Sequence, residues 1–127
     1  MTDAHTARWA GVAAALAGAS AVILGALGAH ALHAKVSPQM LGVWNVAVQF
    51  QFWHALALIA CALMRRTHAV HLAAVLFALG IVLFCGSLYA LALGAPHMVG
   101  VITPLGGLAF IAGWVAMGVG FWRGHGR

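Results

Sequence analysis

Between positions 45 and 54 the chain reads Asn-Val-Ala-Val-Gln-Phe-Gln-Phe-Trp-His, four polar side chains set among aromatic and aliphatic ones. Asn45, Gln49 and Gln51 carry amides, each both donor and acceptor, and the neutral imidazole of His54 has one of each. Held in apolar surroundings, such groups can bind a polar head group, ligate a metal ion or relay a proton. They can equally pair with one another and fix helices in register, because a buried polar group needs a partner in any case. Histidine is the only side chain in the apolar part of the chain that titrates near neutral pH. The single acid, Asp3, lies outside every apolar segment. That argues against glycosidases, intramembrane aspartyl proteases and proton relays built on carboxylates. No Ser-His-acid triad, phosphate-binding loop or CxxC motif occurs either. The expectation is a protein that is not an enzyme and carries no cofactor.

The elements that hold these residues follow from composition. The chain has 127 residues, 65% of them hydrophobic and 6% charged. A soluble surface does not tolerate that balance. The length suits one domain and four spans of about 20 residues each. The net charge of +5 sits at the ends of the apolar segments, where topology signals belong, so nucleic acid is rejected as a partner. The fold class read from this pattern is all-α, an integral membrane four-helix bundle.

Helix 1 is expected over about residues 9–32, helix 2 over 38–64, helix 3 over 68–93 and helix 4 over 104–122. A signal peptide is the rival reading of the first run, with Ala29-His30-Ala31 as its cleavage site. The run is too long for an h-region and further spans follow, so it is read as an anchor. Ser37-Pro38 suits an N-cap followed by proline in the first turn, and Thr103-Pro104 repeats that start for helix 4. Thr67 is the expected cap of helix 3, and Gly94 with Pro96 its stop.

Small residues recur every seven positions: Gly11, Gly18 and Gly25 on helix 1, Gly80 with Ala73 and Ser87 on helix 3, and Gly106, Gly113 and Gly120 on helix 4. Ala14, Ala21 and Gly28 follow the first set three residues on and are read with it as one seam. In lipid, such seams let backbones approach closely. The partner is another helix of this chain or one of a second copy. Arg8, Arg65, Arg66, Arg123 and Arg127 fall on one side of a four-span arrangement and Lys35 on the other, which puts both termini in the cytoplasm.

Four runs, Gly25-Ala26-Leu27-Gly28-Ala29-His30, Val48-Gln49-Phe50-Gln51 with His54-Ala55-Leu56-Ala57, Gly86-Ser87-Leu88-Tyr89 and Ile102-Thr103-Pro104-Leu105-Gly106-Gly107, resemble the family labelled domain of unknown function 423. Its eukaryotic members are called transmembrane protein 256. The resemblance covers nearly the whole chain in order. It implies a small four-helix protein of the bacterial inner membrane, with mitochondrial relatives in eukaryotes, and no established activity.

At about 1.5 Å per residue, His54 falls near the membrane midplane, with Asn45 and Gln49 further out. Ser87 and Tyr89 reach the level of Asn45, and His30 and Thr103 lie at the outer ends of their helices. These eight residues, Gln51 included, form the candidate pocket or network: a hydrogen-bond set fixing register, or an outward-facing site for a lipid head group, quinone or metal ion. Asn45 and Gln49 share one face of helix 2, with Gln51 and His54 nearly opposite. Helix 2 is therefore either surrounded by helices or shared with a second subunit. His30, His33 and His97 are weak metal candidates without a recognised spacing. Cys61 and Cys85 lie at opposite depths, too far apart for a disulfide. Membrane lipids, a second copy or a larger membrane complex are the expected partners.

Overall fold

The structure, a computed structural model, describes the backbone of residues 2–124 and the side chains of residues 7–124. Among these residues the regular structure is all helical, joined by short turns, without strands. The elements are α1 (Thr2–Ala29), α2 (Pro38–Leu63), α3 (His68–Gly80), a π-helical turn (Ile81–Cys85), α4 (Gly86–Ala92), a 3-10 turn (His97–Val101) and α5 (Ile102–Gly124). Four stretches are long and apolar enough to cross a membrane: Ala7–Ala29, Pro38–Leu63, His68–Ala92 and His97–Gly124.

Local chemistry sets most of the boundaries. The Ser37 hydroxyl accepts from the Met40 N–H at 3.1 Å, with Pro38 in the first turn of α2. Thr67 accepts from Val70 N–H at 3.2 Å and starts α3 in the same way. The third span stops at Gly94, which takes φ +102, a conformation open to glycine and costly for other residues. Arg65 donates to the Gly124 carbonyl at 3.3 Å and so caps the end of α5, where a positive charge also suits the helix dipole.

Helix bounds and one interior stretch differ from the sequence expectation. Helix α1 ends at Ala29, so His30 and His33 lie in the connecting turns. The fourth span begins with the 3-10 turn at His97, and Thr103 does not cap it. Pro96 ends the preceding extended stretch, and Pro104 falls in the first turn of α5, where its missing N–H leaves no gap in the ladder. The third span is not one uniform α-helix. Its π-helical turn widens the backbone at Phe84, and Gly106 of α5 receives the bulge. A Cβ at Gly106 would lie 2.7 Å from the Phe84 Cα and closer still to its backbone nitrogen.

The helices pair as two hairpins, α1 with α2 and the third span with α5, joined where α2 packs on the third span. The interior is built of small residues, among them Ala10, Ala14, Ala47, Ala73 and Ala74, around the buried Phe77 and Leu58. Large apolar side chains point outward: Leu16 is 68% exposed, Leu63 82% and Val82 68%. So much exposed apolar surface suits hydrocarbon rather than water, and helices can present it there because their backbone groups bond internally. The α3–α5 seam packs knobs into gaps. Phe110 fills the space over Gly80, Phe77 that over Gly113 and Val70 that over Gly120. On α1 the seam is narrower than the sequence suggests. Ala14, Ala21 and Gly28 are buried and Gly25 touches Val48, whereas nothing lies within 4 Å of a Cβ built on Gly11 or Gly18. The heptad drifts around a straight helix, so only one edge of the small-residue band faces α2.

Candidate functional site

Gln51 lies buried where α1, α2 and the third span meet. Its amide nitrogen donates to the Ser20 hydroxyl at 2.7 Å and to the Ala17 carbonyl at 2.9 Å. Its carbonyl oxygen accepts from the Tyr89 hydroxyl at 2.7 Å. Ser20 in turn donates to the Leu16 carbonyl at 2.7 Å. One amide thus ties three spans together. Above it, the Trp44 indole donates to the Leu24 carbonyl at 2.8 Å and meets the Tyr89 ring edge-on at 4.7 Å.

His54 is fixed from both sides. Its Nδ1 is 2.7 Å from the Phe50 carbonyl, which only accepts, so Nδ1 carries the proton. Nε2 is then the acceptor for the Trp114 indole N–H at 3.1 Å. The ring stacks on Phe110 with centroids 3.6 Å apart and planes 12° from parallel. Neither nitrogen is left to ligate a metal ion, and the neutral tautomer is dictated by the two bonds. The helix-end pair is Ser87 with Thr103. Ser87 donates to the Phe84 carbonyl at 2.9 Å, so Thr103 is the donor to Ser87. This bond ties the third span to the fourth just above the π-helical turn.

Of the eight candidates, the structure brings Gln51, His54, Tyr89, Ser87 and Thr103 onto helix contacts as two separate clusters and a pair. It does not assemble them into one pocket. Asn45 and Gln49 lie on the exposed side of α2, and His30 is exposed in the turn after α1. His33 and His97 are exposed as well. Among the described residues no group of three His, Cys, Asp or Glu side chains comes together, so the three-histidine set is not formed. Cys61 and Cys85 are buried and free. Sequence reading missed Ser20, Trp44 and Trp114 as partners. Depth held the signal for Trp114: counted from the Leu63 end of α2 and the Gly124 end of α5, which lie together, His54 and Trp114 are both about 15 Å along.

Next to His54, the gap between α2 and α5 is a groove of about 500 Å³ lined by Phe50, Trp53, Gly107, Phe110, Ile111 and Trp114. It is almost wholly apolar. His54 itself bridges the two helices here, stacked on Phe110 and bonded to Trp114. Among the described residues, no buried side-chain nitrogen or oxygen lacks a hydrogen-bond partner.

The spans, outward-facing apolar surface and inward polar ties define a multi-pass α-helical membrane protein. The family described as a protein of unknown function (DUF423) matches residues 24–107, and the chain belongs to it. A UPF0382 membrane protein of Staphylococcus haemolyticus is 45% identical over 95 residues, covering 73% of this chain and 78% of the relative. The UPF0382 membrane protein YwdK of Bacillus subtilis is 44% identical over 99 residues, 75% of this chain and 80% of its own length. The UPF0382 inner membrane protein YgdD of Escherichia coli K12 is 39% identical over 118 residues, 91% and 90% of the two chains. No solved structure matches the chain.

Proposed function

We propose that this inner-membrane protein acts as a structural or accessory helix-packing component rather than as an enzyme. Its partners are lipids, a second copy or a larger membrane complex, and not nucleic acid. Both termini lie in the cytoplasm, a reading supported by the one-sided distribution of the arginines. One observation carries the reading: every buried polar side-chain atom among the described residues is satisfied by the protein itself, with His54 engaged at both nitrogens. A site poised for a polar ligand keeps at least one donor or acceptor turned toward the space the ligand fills. Here the buried polar groups face helix contacts instead.

The binding-module reading draws its support from the aromatic groove beside His54, whose volume suits a planar or chain-like apolar molecule such as a quinone. One experiment separates the two. Parent and His54→Leu protein, purified in mild detergent, are compared by melting and by mass spectrometry of bound lipids, quinones and metals. The structural reading expects a change in melting alone. A molecule bound to the parent and missing from the variant overturns it.

A further inference from the structure

Asn45 and Gln49 stand apart from the network. They lie one turn apart on the side of α2 turned away from Gln51 and His54, and both are exposed. With His54 near the midplane, Gln49 lies about 8 Å and Asn45 about 14 Å from it along the axis, inside a hydrocarbon half-thickness of about 15 Å. No hydrogen bond to either side chain occurs among the described residues. The Asn45 side-chain oxygen lies beside α1, 3.4 Å from where a Gly28 Cβ would stand, with no donor there to meet it. Two amides facing lipid tails without partners are unfavourable, and polar groups at this depth turn to another helix where one is available. Gly42, one turn above Asn45, has no heavy atom within 4 Å of its Cβ position, so the face is also open to close approach.

We infer that this face of α2 binds the same face of a second copy of the chain, forming a two-fold dimer in the membrane. The inference rests on the structural reading above, under which the inner polar groups are committed within the protomer. The chemistry of the side chains selects the occupant. Two copies inserted with the same orientation are related by an axis along the membrane normal, so each residue meets its counterpart at equal depth. A carboxamide is its own complement: its N–H donates to the carbonyl of an identical group, which donates in return. Asn45 therefore pairs with Asn45 of the second copy and Gln49 with its counterpart, satisfying both layers at once. Leu56 and Phe52, half exposed below them, supply the apolar remainder of the contact.

The test is disulfide cross-linking in native membranes on a Cys61→Ala, Cys85→Ala background. Single cysteines are placed at Phe52 and Leu56, on the same face but outside the amide layers, and, as controls on other lipid-facing surfaces, at Leu16 and Val115. The dimer predicts homodimer bands at positions 52 and 56 and none at 16 or 115. A second arm measures oligomer mass in mild detergent for the Asn45→Leu, Gln49→Leu double variant. It should run as a monomer while melting like the parent protomer. No homodimer band at 52 or 56, a band only at a control position, or a cross-link to a different protein overturns the dimer. Those outcomes leave the structural reading intact, which fails instead if a bound molecule is lost with His54→Leu.

Discussion

Among the residues, the amide of Gln51 and the imidazole of His54 have separate tasks although they are three positions apart. Gln51 makes three bonds to two other spans, and His54 makes one to α5 and one back to its own helix. A hydrogen bond between membrane helices is worth about 0.6 kcal/mol on average, with an upper range near 1.7. Gln51→Leu should therefore destabilise by about 1–2 kcal/mol, since it also leaves the Tyr89 hydroxyl and Ser20 to find new partners. Trp114→Phe keeps most of the ring packing and removes one bond, so it should cost less than about 1 kcal/mol. Reversible unfolding in detergent or bicelles measures both, and the opposite order would contradict the assignment of Gln51 as the hub. That Gln51 and His54 must find partners was legible from their position in an apolar run. Which partners they find was not, because Ser20 and Trp114 become neighbours only through the crossing of helices distant in sequence.

At the level of elements, capping chemistry at Ser37, Thr67 and Gly94 was readable because it depends on three or four consecutive residues. The π-helical turn at 81–85 was not, since nothing in Ile-Val-Leu-Phe-Cys distinguishes it from regular helix. What permits it is Gly106 on a different span, whose lack of a side chain admits the Phe84 backbone. Gly106→Ala should destabilise by about 1–3 kcal/mol through overpacking against a main chain that cannot swing aside. Gly18→Leu, facing open space, should change melting by less than about 0.5 kcal/mol. A comparison of the two melting curves checks the claim that only part of the glycine pattern is packing. Equal losses would mean that α1 has a partner on its Gly18 side. The seven-residue repeat alone could not make this distinction, because it gives a spacing and not the direction in which a neighbour lies.

For the whole molecule, the pattern is small residues and hydrogen bonds inside with large apolar side chains outside, the arrangement suited to lipid as solvent. The four spans and their order were plain from hydropathy, whereas the pairing of α1 with α2 and of the third span with α5 required the packed structure. The basic residues predict the orientation. Cysteines introduced at His68 and at Ala34 should react only from the cytoplasmic and only from the outer side respectively, and the reverse would invert the topology. The central claim is that the inward polar groups hold the spans together as one cooperative unit. A double-mutant cycle on Gln51→Leu and Tyr89→Phe tests it most directly, because the two residues lie on different spans and share one 2.7 Å hydrogen bond. The account predicts a favourable coupling of about 0.5–1.7 kcal/mol in the global unfolding free energy. Strictly additive losses, with no coupling between the two sites, would contradict it.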